Sequence, residues 1–354
     1  MEKKKVLVGM SGGVDSAAAA LLLERAGYET AGCTLRLYSR ADGGCGSDRE
    51  AEDARLAAEA MGMEFYLLDD SDTFREKVIG NFVETYCAGA TPNPCIECNR
   101  CVKFTSLLRT AEKLGMDHIA TGHYARVRYN ENVNRWQLLR GRDSAKDQSY
   151  VLYPLSQEIL SHLLLPVGEY EKSEIRAMVA ERGLHNAHKK DSQDICFIPD
   201  GDYVGFLTEQ GVPLSPGDFV DGEGKVLGRH RGQVCYTTGQ RRGLGVSADR
   251  PLYVLRKNGQ NNTVVLGDNE ELFTRTVYAR DFNWVSLPPA DEPLRVTAKT
   301  RYSQREAEAT LYREADGTVR AEFDEGQRAV TAGQSLVCYS GELVVGGGII
   351  TATE

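Results

Sequence analysis

Two groups of residues in this chain could do chemistry. The first is Met10-Ser11-Gly12-Gly13-Val14-Asp15-Ser16, which follows the apolar run Val6-Leu7-Val8-Gly9 and precedes Ala17-Ala18-Ala19-Ala20-Leu21-Leu22-Leu23. That order reads as a strand, a glycine turn and a helix. Glycines at such a junction let backbone amides approach an anion, and the helix start adds partial positive charge, so the spacing predicts a phosphate cradle. No Gly-x-x-x-x-Gly-Lys-Ser/Thr occurs, which leaves a kinase or GTPase reading unsupported. The second group is made of thiols, in Thr91-Pro92-Asn93-Pro94-Cys95-Ile96-Glu97-Cys98-Asn99-Arg100-Cys101-Val102-Lys103-Phe104. Its prolines predict an extended loop, with Cys95 and Cys98 emerging just before a helix that begins near Arg100. Thiolates there would be stabilised by the helix start and by Arg100 or Lys103. A distant stretch, Asp191-Ser192-Gln193-Asp194-Ile195-Cys196-Phe197, adds a cysteine in polar surroundings where core cysteines seldom sit. Most of the other cysteines read as small buried hydrophobes.

Positioning these groups requires a framework. With 354 residues and 41% hydrophobic content, two or three domains with proper cores are expected. Segments alternate through roughly residue 200: 50–62 helical, 64–69 a strand, 104–115 helical, 118–120 a short strand. Alternation of this kind predicts an α/β domain with a doubly wound parallel sheet, whose ligands sit at the carboxyl ends of strands, where the Ser11 to Ser16 loop lies. From Gly217 the texture changes to short β-rich runs at 252–255, 262–266, 294–299 and 335–339, separated by Gly, Asp and Asn. The last eighty or so residues read as a small β-barrel or sandwich. Net charge is −9, which alone argues against a nucleic-acid partner, but basic residues cluster at Lys189-Lys190, Arg229-His230-Arg231, Arg241-Arg242 and Lys299-Thr300-Arg301. The N-terminal residues hold no apolar signal core and no run of about eighteen apolar residues follows, which predicts a cytoplasmic protein without a membrane partner.

The Ser-Gly-Gly-Val-Asp-Ser string resembles the loop of the ATP pyrophosphatase (PP-loop) family, which holds the pyrophosphate of ATP during transfer of AMP to a substrate oxygen. The resemblance becomes narrower with Ala120-Thr121-Gly122-His123-Tyr124, Lys146-Asp147-Gln148-Ser149-Tyr150, Thr238-Gly239-Gln240-Arg241-Arg242-Gly243-Leu244 and Lys299-Thr300-Arg301-Tyr302. Together with both cysteine segments, and in this order, these strings resemble the tRNA-specific 2-thiouridylase family over nearly the whole chain. The resemblance implies a PP-loop catalytic domain over 1–202, a central tRNA-binding domain over 203–271 and a C-terminal β-barrel over 272–354.

It also implies an activity: ATP adenylates the C2 oxygen of the tRNA wobble uridine, and sulfur from a cysteine desulfurase replaces it. ATP with Mg2+, tRNA and a sulfur donor are the implied ligands and partners, for a monomeric enzyme. By motif position Cys196 carries the persulfide and Cys98 is the second catalytic cysteine. Gly9, Met10, Ser11, Gly12, Gly13, Val14, Asp15, Ser16, Leu35 and Gly122 fall where the family contacts ATP. Asn93, Pro94 and Cys95 fall where it contacts the target base. His123, Lys146, Asp147, Gln148, Arg301, Tyr302 and Gln334 fall at its tRNA contacts. Many family members carry Asp at the position of Cys95. Cys95, Cys98 and Cys196 therefore also offer three thiolates for a 4Fe-4S cluster with one open iron. Persulfide and cluster chemistry both remain open at this point. So do another PP-loop adenylating synthetase and a non-catalytic tRNA-binding or sulfur-carrier protein.

Overall fold

A computed structural model of the chain describes residues 3–38, 48–189 and 195–354. Cys45, Lys190 and the stretch from Asp191 to Asp194 lie outside the described residues.

The first domain is built on β1 (Lys5–Gly9), β2 (Glu29–Arg36), β3 (Glu64–Asp69), β4 (His118–Thr121) and a short outer strand, Leu163–Leu164, in the order β3-β2-β1-β4-outer, all parallel. Chain order reverses between β1 and β4, and such a switch point opens a crevice at the carboxyl ends of the strands. Side-chain alternation along β1 divides the core between two faces. Val6 and Val8 pack on one face against the alanines of α1 (Val14–Arg25), whereas Leu7 packs on the other against Phe104, Leu107 and Ile119. Ala17, Ala18, Ala19 and Ala20 have no exposed surface. Their small side chains let α1 lie close to the sheet and to the helix Lys172–Glu181.

The hairpin Ala125–Asn130 and Arg135–Arg140 departs from the expected alternation. Rather than joining the parallel sheet, it extends the sheet of the C-terminal domain through the pairing of Leu139 with Leu343. Its polar–apolar alternation suits an antiparallel pair with one covered face, and Asn134 supplies the positive φ of its turn.

The middle domain is a four-stranded sheet of Gly217–Val220, Val226–His230, Tyr253–Asn258 and Thr263–Gly267. The C-terminal domain is a six-stranded antiparallel barrel from Phe273 to Thr353, closed by pairing of its first and last strands. The α/β fold with a small central domain and a C-terminal β-barrel is therefore as expected. Among the described residues no helix is long and apolar enough to cross a membrane.

Candidate active site

The glycine loop leaves β1 at Gly9 and enters α1 with Gly13 as the N-cap. Gly12 has φ +69, and a Cβ there would stand 2.7 Å from the Glu50 carbonyl oxygen, so both conformation and space require glycine. The loop closes on itself: the Ser11 amide donates to Ser16 Oγ at 3.2 Å, and Ser16 Oγ donates to the Gly13 carbonyl at 3.1 Å. Gly122, at the end of β4, packs against the same loop. A Cβ at Gly122 would lie 2.5 Å from the Asp15 carbonyl carbon and 2.6 Å from the Ser16 amide nitrogen. The two strands flanking the switch point thus deliver Gly9 to Ser16 and Gly122 to one place.

Asp15 lies in the first turn of α1, where a carboxylate suits the helix dipole. Lys172 Nζ donates to both its oxygens, at 2.7 and 2.8 Å, and Tyr124 Oη donates to Oδ1 at 2.8 Å. Lys172 is 8% exposed, a burial that lysine tolerates when paired. On the other side of the loop, Lys189 Nζ donates to Asp53 Oδ2 at 2.8 Å and to the Gly12 carbonyl at 3.3 Å, and Asn186 Nδ2 donates to the Gly13 carbonyl at 3.2 Å. Lys172, Tyr124, Lys189 and Asn186 carry functional geometry that sequence reasoning did not assign. Lys172 is 157 positions from Asp15, and nothing in its local sequence distinguishes it from a solvated helix start. Two of them had a signal: Tyr124 closes the Gly122-His123-Tyr124 string, and Lys189 belongs to the basic pair Lys189-Lys190.

The thiol segment differs from its expected form. The helix begins at Pro94, not near Arg100, with Asn93 Oδ1 accepting from the Ile96 amide at 3.3 Å. Proline is suited to the first helical position, where its missing N–H is not needed, so Cys95 and Cys98 belong to the helix itself. A π-helical turn over Asn99–Lys103 follows before the α-helix Phe104–Lys113. Arg100 also has a carboxylate partner. Its guanidinium pairs with the buried Glu97 carboxylate at 2.6 Å, and the Cys101 thiol donates to the other Glu97 oxygen at 3.0 Å. Burial and then the Glu97 contact push the Cys101 thiol up to about 11.

Cys98 is buried in an apolar cluster with Phe74, Val78, Phe82, Val102 and Phe197, and Cys196 packs against the same cluster. Leu35, near the carboxyl end of β2, packs against this cluster as well as against the core beneath the sheet. Cys95 is exposed and outside that cluster, with Tyr302 of the barrel as its electrostatic neighbour. Among the described residues no three His, Cys, Asp or Glu side chains converge as a metal-binding group. Of the three thiols named as iron–sulfur ligands, Cys95 is exposed, Cys98 buried and Cys196 half-buried.

Residues expected at tRNA contacts gather where the first domain meets the barrel. Tyr302 is 46% exposed and donates its hydroxyl to the Asp147 carbonyl at 3.1 Å, edge-on to Tyr150. Several of the others are occupied internally. Asp147 Oδ1 accepts from the Gly141 and Ser149 amides at 3.0 and 3.1 Å, and Gln148 Oε1 accepts from the Tyr124 amide at 2.9 Å. Arg301 donates to the Ala329 carbonyl at 2.7 Å and to Thr331 Oγ1 at 2.5 Å. Lys146 is half-buried beside Asp147, its amide donating to the Asp143 carbonyl at 3.1 Å. His123 Nδ1 shares a hydrogen bond with Thr121 Oγ1 at 2.8 Å, and desolvation followed by the Lys103 charge holds its imidazole well below the usual range. A neutral imidazole can stack or hydrogen-bond, but it cannot neutralise a phosphate.

Comparison with known proteins identifies the family. The family descriptions "tRNA methyl transferase HUP domain", "tRNA methyl transferase PRC-barrel domain" and "Aminomethyltransferase beta-barrel domain" match residues 4–200, 205–268 and 274–350. The tRNA-specific 2-thiouridylase MnmA of Acetivibrio thermocellus is 49% identical, covering 99% of this chain and 100% of its own length. The chain belongs to the tRNA-specific 2-thiouridylase family. The protein of that name from Clostridioides difficile is 46% identical over 98% of each chain. Among solved structures, a 4-thiouridine synthetase–RNA complex with bound ATP aligns over 58% of this chain and 50% of its own, with 15% identity and a TM-score of 0.39.

Proposed function

We propose that this member of the 2-thiouridylase family adenylates the C2 oxygen of a wobble uridine in tRNA with ATP and replaces that oxygen with sulfur through Cys196 and Cys98. The observation that carries the reading is the joint placement of two half-sites. A glycine loop braced by Asp15, Lys172 and Tyr124 lies at the switch point of the sheet, and Cys98 and Cys196 lie against one apolar cluster that Leu35, near the carboxyl end of the strand next to β1, connects to the core of the same sheet.

The chemistry divides between these halves. The loop amides and the α1 terminus hold the phosphates, while Lys172 fixes the Asp15 carboxylate. Attack of the uridine oxygen on the α-phosphorus expels pyrophosphate and makes AMP the leaving group at C2. A cysteine desulfurase transfers sulfane sulfur to the Cys196 thiolate, giving a persulfide. Cys98 then attacks the Cys196 sulfur, forming a disulfide and releasing hydrosulfide, which adds to C2 as AMP departs. An external dithiol reduces the disulfide between turnovers. Mg2+ arrives with ATP as part of the substrate. The exposed Tyr302 and Cys95 offer a platform for a base displaced from its stack. The exposed Arg241 and Arg242 supply phosphate contacts despite the negative net charge.

The test is mass spectrometry of nucleosides after the purified protein is incubated with unmodified tRNA, ATP, cysteine and a cysteine desulfurase. ATP-dependent 2-thiouridine is expected. Its absence with a demonstrably active desulfurase would contradict the reading.

A further inference from the structure

The chain between the helix Gly80–Cys87 and the helix Pro94–Cys98 is gripped from two sides by the downstream domains. From the middle domain, Gln233 Nε2 donates to the Cys87 carbonyl at 2.8 Å, and Lys257 Nζ stands 3.5 Å from the Ala90 carbonyl and over the Tyr86 ring. From the barrel, Gln334 Nε2 donates to the Thr91 carbonyl at 3.0 Å and to the Pro92 carbonyl at 3.1 Å, while the Thr91 amide donates to the Ala332 carbonyl at 2.9 Å. Gly333 has φ +87, and a Cβ there would meet the Thr91 oxygen at 2.9 Å, so the two backbones are in direct contact. The next residue, Asn93, caps the helix that carries Cys98.

We propose that Gln334, with Gln233 and Lys257, is a positioning residue for the thiol chemistry, holding segment 87–93 so that the two downstream domains determine where Cys98 sits. The inference rests on the proposed role of Cys98. It gives Gln334 a function apart from touching RNA, because its amide N–H groups are spent on protein carbonyls. Lys257 fits the same account. Burial draws its ammonium down to about 8, so the protein keeps a destabilising buried cation at the grip.

The experiment compares Gln334→Ala, Gln334→Glu, Gln334→Lys and Lys257→Met in the full chain. Three readouts are taken: iodoacetamide labelling of Cys98 without ATP or tRNA, the tRNA dissociation constant, and the single-turnover rate of 2-thiouridine formation. Gln334→Ala and Gln334→Glu lose the donors to both carbonyls. Each should label Cys98 several-fold faster and turn over about tenfold more slowly, with tRNA affinity within about twofold of wild type. Lysine retains donors on a flexible stem and should restore most of the rate. Lys257→Met should melt at higher temperature yet also turn over more slowly, a combination that a purely structural residue would not give. Unchanged Cys98 labelling in Gln334→Ala, or a loss of tRNA affinity matching the loss of rate, would overturn the proposal. Labelling is read without turnover, so failure of the Cys98 assignment itself would show separately, as retained thiolation in Cys98→Ser.

Discussion

Asp15→Asn tests how the nucleotide loop is held together. The substitution keeps the size of the side chain and removes the negative charge facing Lys172 Nζ at 2.7 and 2.8 Å. Breaking a fully buried ion pair from one side costs about 3–5 kcal/mol, since it strands a charge. Here the Asp15 side chain keeps 31% of its exposure and Lys172 10%, so water screens part of the loss and about 2 kcal/mol is expected. Lys172→Met removes the cation with little change in volume. The double variant strands nothing and should therefore recover 1–2 kcal/mol relative to additivity, on the order of the coupling seen for residues in contact. Hydrogen exchange of the amides in α1 and in Lys172–Glu181 is the suitable assay, because a chain of three domains need not unfold in one step. All three variants should lose AMP formation by about 100-fold or more while still binding tRNA. Additivity within about 0.5 kcal/mol, or AMP release at the wild-type rate from Asp15→Asn, would refute the reasoning.

Gly122→Ala would place a Cβ 2.5 Å from the Asp15 carbonyl carbon, so the loop must shift, and AMP formation should fall at least about tenfold with little change in tRNA affinity measured by filter binding. Cys98→Ser and Cys196→Ser should each abolish thiolation with a desulfurase as donor. Cys95→Asp should remain active and the anaerobically purified protein colourless, whereas brown protein that loses iron and activity in Cys95→Ala would establish the cluster instead. Lys257 titrates near 8 when folded and near 10.5 when unfolded, so below pH 8 both states hold the proton and the full burial cost is present. Between those values the unfolded chain binds the proton that the folded chain has released. Stability should rise by about 3 kcal/mol across that window, and Lys257→Met should flatten the rise in a urea titration.

Elements whose signals are local were legible in the sequence. The strand at 64–69, the glycine loop and the β-rich C-terminal half follow from periodicity and turn residues, and the structure holds all three. Signals that compete locally were misread. Pro94 marks the helix start, not an extended stretch, because proline is tolerated at the first helical position. The hairpin at 125–140 has an ordinary alternating pattern, and only its pairing with Leu343 reveals which sheet it serves. The bracing of the site was the least legible. Lys172, Asn186 and Gln334 act across 157, 173 and more than 240 positions, distances over which sequence spacing carries no geometry. Arg301 and Asp147 illustrate the converse, since matching a family's RNA-contact positions gave no hint that their side chains hold turns within the protein.

The central claim is that ATP activates the uridine oxygen by adenylation, and the fate of that oxygen tests it most directly. tRNA carrying 18O at C2 of the wobble uridine would be thiolated in ordinary water, and the nucleotide products analysed by mass spectrometry. The account predicts one 18O atom in the phosphate of AMP for each 2-thiouridine formed, with none in pyrophosphate. Label in inorganic phosphate alongside ADP, or release of the label to water with unlabelled AMP, would contradict it.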